Sequence, residues 1–250
     1  MASAYNIPLK IVAAIPAYNE ENTIGDLVVV ARKYVSQVIV VDDGSTDATS
    51  EIASASGALV VSHNSNKGYG ESIRTCFELA KKNGADVLVT FDGDGQHDPS
   101  EIPKLVAPIL ANNANLVIGS RFIKPSPWPT NMPYYRKFGI FFITWLINLG
   151  ASTRVSDAQS GFRAYDRRIL DNISLSEKGM AISVEAIIKI REKGFIIREV
   201  PISCKYLSRS STLHPVSHGL GVVVALVWIR TKNVLNKMKK RNSSIGHGPS

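Results

Sequence analysis

Read for its hydrophobic and polar positions, the first 120 residues alternate short β-branched runs with longer stretches in which apolar residues recur at helical spacing. The runs Ile11 to Ile15, Gln37 to Val41, Ala58 to Ser62, Val87 to Phe91 and Leu116 to Ile118 predict strands. Between the first two, Ile24, Leu27, Val28 and Ala31 share one face of a helix over Asn19 to Tyr34, with Asn19 as its N-cap. Thr46 or Asp47 opens the next helix, and Asp98-Pro99 gives a later one a cap followed by proline. This alternation is that of an α/β fold, Rossmann-like, with a mostly parallel sheet and a ligand crevice at the carboxyl ends of its strands. Every strand tip is polar, as turns generally are. They read Pro16 to Glu20, Asp42 to Ser45, His63 to Gly68 and Asp92 to Asp98.

After residue 120 the pattern changes to a Pro-rich loop (Lys124 to Pro133), an apolar run, the segment Ser160 to Tyr165, a helix near Ala181 to Lys193 and a strand near Phe195 to Lys205. Two runs raise the question of a membrane, Phe138 to Leu149 and Gly219 to Ile229. Both fall short of the roughly 20 apolar residues needed to span a bilayer. Each contains Trp and is flanked by Lys or Arg, which suits a helix lying in the interface; a helix buried in the core is the alternative.

Composition narrows the class. The chain has 250 residues, 44% of them hydrophobic and 20% charged, enough to bury one full core. Its formal charge of +8 favours a polyanionic partner. The basic residues Lys232, Lys237, Lys239, Lys240 and Arg241 directly follow the second apolar run, an order that suits a membrane surface or a solvated tail and not nucleic acid. Cys76 and Cys204 lie in regular segments and read as core thiols, with no disulfide framework and no zinc site. Met1 to Pro8 lacks a signal-peptide pattern, so a peripheral location on the cytosolic face of a membrane is expected.

The chemistry concentrates at the tips. Asp92 and Asp94 stand at i and i+2 after a buried strand, where they can share one hard divalent cation, and Gly93 and Gly95 let backbone approach a phosphate. An Asp-Gly turn is the bland alternative. Oxygen ligands point to Mg²⁺ or Mn²⁺, with Gln96 and His97 as possible further ligands. The acidic pair Asp42-Asp43 offers acceptors to a nucleobase or a ribose, or simply caps a turn. Neither G-x-G-x-x-G after the first strand nor G-x-x-x-x-G-K-[ST] occurs, which counts against a dinucleotide oxidoreductase and a P-loop ATPase.

The segments IPAYNEE (Ile15 to Glu21), VVDDGSTD (Val40 to Asp47), NKGYG (Asn66 to Gly70), DGDGQHDP (Asp92 to Pro99), GSRF (Gly119 to Phe122) and DAQSGFRAY (Asp157 to Tyr165) together resemble glycosyltransferase family 2, and within it the dolichyl or polyprenyl-phosphate hexosyltransferases. The resemblance covers about residues 10 to 210. It implies a GT-A fold, inversion at the sugar carbon, and nucleotide-sugar contacts from Pro16, Tyr18, Glu20, Asp43, Lys67, Gly68, Asp92 and Asp94. It also implies Asp92, Asp94 and Gln96 around the metal, Arg121 and Arg136 on the acceptor phosphate, and Arg209 reaching the donor diphosphate. Asp94, Arg121 and Arg209 are then the catalytic set.

A lipid phosphate acceptor is already ionised and needs no strong general base; Asp157 and Glu185 are candidate bases if the acceptor is a sugar hydroxyl instead. The expected organisation is a catalytic domain over 1–210, divided into a nucleotide-sugar half (about 10–120) and an acceptor half (about 121–210). An interfacial helix over 211–241 and a disordered tail over 242–250 follow. The expected reaction is transfer of a hexose from GDP-mannose, UDP-glucose or UDP-N-acetylglucosamine to a polyprenyl or dolichyl phosphate at the membrane. Transfer to a glycan or soluble hydroxyl, and nucleotide-sugar binding without turnover, are the alternatives.

Overall fold

The computed structural model describes residues 9–125 and 132–205. The expected interfacial segment 211–241, the tail and Arg209 lie outside the described residues. Seven strands form one sheet: β1 (Ile11–Ala17), β2 (Gln37–Asp42), β3 (Leu59–Ser62), β4 (Val87–Thr90), β5 (Leu116–Ser120), β6 (Arg163–Asp166) and β7 (Ile197–Pro201). The helices are α1 (Ile24–Ala31), α2 (Thr49–Ala55), α3 (Tyr69–Lys82), α4 (Ile102–Leu110), α5 (Tyr134–Asn148), α6 (Arg167–Asn172) and α7 (Ala181–Glu192). A 3-10 turn, Pro99–Glu101, leads into α4.

The strand order is β3-β2-β1-β4-β6-β5-β7. All neighbours are parallel except at β6, which runs antiparallel to both β4 and β5. The sheet is thus the mostly parallel one expected, and both halves of the sequence contribute to it. Side chains alternate between two cores, as strand geometry requires. Val12, Ala14, Ile39 and Leu88 face the side covered by α3 and α7. Ala13, Ile15, Val40 and Val89 face the side covered by α1 and α4.

Two expected helix starts are displaced. Asn19 is no N-cap: it sits at φ 56°, and its side chain accepts from Thr46 N at 2.9 Å. The chain from Tyr18 to Thr23 is drawn across the β2 tip before α1 begins at Ile24. Helix α2 begins at Thr49 rather than at Thr46 or Asp47, with the Asp47 carboxylate accepting from Thr49 N at 3.0 Å. Asp98 does cap its turn, accepting from Ser100 N at 2.9 Å. The helix α6 was not foreseen; Asp166 caps it by accepting from Ile169 N at 3.0 Å.

Candidate active site

The carboxyl ends of β1, β2 and β4 open into a cleft of about 410 Å³, closed on its far side by α5 and by the loop before β6. Pro16, Tyr18, Glu20, Asp43, Gly68, Asp92, Asp94, Gln96, Arg121 and Arg136 line it. Among the other expected residues, Lys67 takes part through its backbone, and Arg209 lies outside the described residues.

At the β2 tip the acidic pair divides its work. Asp42 caps the turn, its carboxylate accepting from Ser45 N at 3.0 Å, while Asp43 faces the cleft. The turn-capping reading of the pair thus holds for Asp42, and Asp43 is the one placed at the cleft. Asp43 is itself held by three donors: Lys67 N at 3.0 Å, Gly68 N at 2.7 Å and the His63 ring 2.6 Å away. Gly68 can make this bond because it adopts φ 88°, a conformation that favours glycine.

The DGDG segment is a turn, and it lines the cleft. The strand ends at Thr90, and Gly95 adopts φ 74°, so Asp92 and Asp94 stand on a turn rather than on extended chain. Asp92 is half-buried beside the Tyr69 hydroxyl, and its Oδ1 is buried with no partner. Burial, and then the Asp94 charge beside it, push the Asp92 carboxyl up to about 7. Burial also raises Asp94, and burial followed by the charge of Asp94 lifts Glu20 to about 7. Gln96 clasps Asp94, donating from its backbone N at 3.1 Å and from its side-chain amide at 2.6 Å.

A crowd of costly buried carboxylates with an orphaned oxygen fits a hard divalent cation. No cluster of three or more His, Cys, Asp or Glu side chains among the described residues is arranged to hold one alone. Two carboxylates with substrate phosphates completing the shell is the usual arrangement for Mg²⁺. His97 is less suited to ligation: burial, and then Arg121, press its ring down to about 3, and it packs 5.4 Å from the Phe162 ring with Nδ1 unpartnered.

On the acceptor side, Arg121 is engaged along one edge by both oxygens of Asp157, Nε at 2.7 Å and Nη2 at 2.8 Å. Burial alone would raise Asp157, but the Arg121 charge and hydrogen bonds outweigh it and hold the carboxyl below its usual range. Asp157 is therefore a buried anchor for Arg121 and not a general base. Glu185 is no base either, since its carboxylate receives Ser176 N, Ser176 Oγ, Glu177 N and Lys189 Nζ and so clamps the loop before α7. Arg121 and Arg136 both act electrostatically on Asp94, which puts them at the carboxylate turn.

Helix α5 has two characters. Arg136, Gly139, Ile140 and Ile143 line the cleft, whereas Phe138 (73% exposed), Phe142 and Trp145 (57% exposed) form a stacked aromatic ridge on its outer side. The core reading of this run holds for its inner face, with Ile140, Ile143 and Ile147 buried, while its outer face is exposed. Sequence reasoning passed over Tyr69, Arg163 and the supporting His63. Arg163 is fully buried and spends its guanidinium on the carbonyls of Ala158, Ser160 and Ser183, shaping the loop that carries Gly161 against Asp92. An arginine set between the apolar Phe162 and Ala164 was the available signal.

The family model described as Glycosyl transferase family 2 matches residues 12–174. The chain is 33% identical over 230 residues to the UDP-N-acetylglucosamine–dolichyl-phosphate N-acetylglucosaminyltransferase of Methanococcus voltae, covering 84% of this chain and 89% of that one. It is also 33% identical to the polyprenol monophosphomannose synthase of Mycolicibacterium smegmatis, over 76% and 75% of the two chains. Among solved structures, glucosyl-3-phosphoglycerate synthase of Mycobacterium tuberculosis, in complex with Mn²⁺, UDP and phosphoglyceric acid, aligns with a TM-score of 0.67. That pair shares 25% identity and covers 88% of this chain and 78% of the other, and the shared architecture is the GT-A fold.

Proposed function

The chain belongs to glycosyltransferase family 2, and we propose that it transfers a hexose from a nucleotide-sugar to a polyprenyl or dolichyl phosphate at a membrane surface, with inversion. The observation that carries this reading is the double character of α5. One face contributes Arg136 and an apolar wall to the cleft, and the other offers exposed aromatic rings at its rim. An acceptor with an anionic head and a hydrocarbon tail matches that surface. The names of the two relatives support the same acceptor class.

In this reading Asp43 accepts from the donor's base, and the Pro16, Tyr18 and Glu20 tip flanks the nucleoside. A divalent cation, Mg²⁺ or Mn²⁺, held by Asp92 and Asp94 with help from Gln96, would neutralise the charge that builds on the donor diphosphate. Arg121 and Arg136 hold the acceptor phosphate. A phosphate oxygen attacks the anomeric carbon as the bond to the diphosphate breaks, and the nucleoside diphosphate leaves with the bonding electrons. The acceptor has no proton to lose, which agrees with Asp157 and Glu185 both being spent on structure. Catalysis is then positioning and charge stabilisation. Among the described residues no helix is long and apolar enough to cross a membrane. In this reading the chain attaches to the cytosolic face through the exposed ridge of α5.

The test is incubation with labelled GDP-mannose, UDP-glucose and UDP-N-acetylglucosamine, a polyprenyl phosphate, and Mg²⁺ or Mn²⁺. Label extractable into organic solvent with one donor is expected. Label only in water-soluble product would point to a soluble or glycan hydroxyl, and turnover with none of the donors would overturn the reading. If Asp94→Ala left cation-dependent donor binding unchanged, the assignment of this turn would fail.

A further inference from the structure

His63 follows β3 directly and stands between the β2 tip and α3, its side chain only 7% exposed. Its Nδ1 is 2.6 Å from Asp43 Oδ1, and its Nε2 is 3.0 Å from Thr75 Oγ1 on α3. An ionised carboxylate only accepts hydrogen bonds, so Nδ1 carries the hydrogen. The Thr75 hydroxyl can then donate to Nε2 and fix that tautomer. The bonds around Asp43 decide what it has left to offer. Oδ1 takes His63 and Lys67 N, while Oδ2 takes Gly68 N alone. A carboxylate oxygen has about two acceptor positions, so the open one is on Oδ2, in a residue that lines the cleft.

We propose that His63, oriented by Thr75, is a positioning residue for the donor: it locks the Asp43 carboxylate so that a single lone pair of Oδ2 is presented to an N–H of the incoming nucleobase. This rests on the reading of Asp43 as a donor contact. Packing alone would not require it, because a ring of similar shape without nitrogen would fill the same space. What such a ring loses is the shortest of the side-chain and backbone bonds on Oδ1, leaving that oxygen to Lys67 N alone and the carboxylate freer to turn. Ordering of the site would then be charged against donor affinity.

The experiment measures binding of UDP and of GDP in the presence of Mn²⁺ by calorimetry, together with KM and kcat for whichever donor is turned over. The variants are His63→Phe, His63→Asn, Thr75→Val and Asp43→Asn. His63→Phe is expected to weaken nucleotide binding about tenfold, the loss of one charge-assisted hydrogen bond, and to raise donor KM in parallel while kcat changes less than about threefold. His63→Asn places an amide N–H near the position of Nδ1 and should recover most of the affinity. Thr75→Val should cost about threefold, since it frees the ring without removing it. If Asp43→Asn leaves nucleotide affinity unchanged, the donor-site reading itself fails. If Asp43→Asn weakens binding but a folded His63→Phe does not, or if His63→Phe lowers kcat at constant KM, the positioning role is overturned. Should His63→Phe fail to fold, His63→Asn and Thr75→Val decide: wild-type affinity with Asn and a measurable loss with Val support the proposal. Equal affinity for Thr75→Val and wild type overturns it.

Discussion

Gly161 lies against the Asp92 carboxylate, and Gly161→Ala isolates the value of that carboxylate's position. A Cβ built at Gly161 would stand 2.5 Å from Asp92 Oδ2, 2.8 Å from Oδ1 and 2.9 Å from Cγ. Ordinary contact begins at 3.4 Å, so the carboxylate must retreat by about 0.9 Å. The backbone at Gly161 is not left-handed, so alanine brings no conformational strain of its own and the contact is the whole perturbation. Asp92 has little room to yield, since its Oδ1 is already buried. A misplacement of about 1 Å at a reacting centre can cost on the order of 100-fold in rate, or about 2.7 kcal/mol. We therefore expect kcat/KM for the donor to fall roughly 100-fold and Mn²⁺-dependent UDP binding to weaken in step, with a small shift in Tm. Steady-state kinetics, calorimetry and a thermal melt measure the three quantities. Turnover and Mn²⁺ dependence within about threefold of wild type would refute the claim that Asp92 must occupy this place.

Asp92→Asn separates stability from function. In chelator, Asp92 and Glu20 titrate near 7 in the folded protein but near 4 when unfolded, so each holds its proton in the fold and loses stability as pH rises from about 4 through 7. The Tm advantage of Asp92→Asn over wild type should therefore grow across that window, while its Mn²⁺ dependence disappears; a pH-independent difference would count against it. Asp157→Asn leaves the buried Arg121 without its counter-charge and should destabilise by about 3–5 kcal/mol in urea denaturation, where a loss below about 1 kcal/mol would contradict the burial argument. Phe138→Ser with Trp145→Ser removes two exposed rings from the α5 ridge. It should abolish sedimentation with anionic vesicles and leave stability within about 0.5 kcal/mol, and unchanged vesicle binding would dissociate the ridge from the membrane.

The pattern of the chain revealed most of the sheet, because buried parallel strands write themselves as uninterrupted apolar runs such as Gln37 to Val41. It revealed less about β6, a four-residue strand whose first residue is a buried arginine and whose direction is set by tertiary packing. The site followed the same rule. Asp92, Asp94 and Asp43 were legible as acids at strand ends. Their supports were not: Tyr69, His63 and Gly161 matter through contacts across about 20 to 70 residues of chain, which no local spacing encodes. Asn19 misled for a related reason. Its side chain is as good a partner for the β2 loop as for a helix terminus, and the loop won.

The antiparallel strand β6 also carries a consequence for how the molecule is made. Until residue 163 emerges, β4 has β1 on one side and bare backbone on the other, since the partner of Thr90 is Arg163, about seventy residues later. At ribosomal rates of about 5–20 residues per second, that apolar edge stands open for roughly 4–15 s, a template for any other strand that reaches it. The same delay governs the carboxylate turn, because Gly161, which walls in Asp92, arrives with the strand that seals the edge. A nascent chain therefore gains the wall beside Asp92 and the cover of its β4 edge in one event, and a fragment ending before residue 160 would have neither.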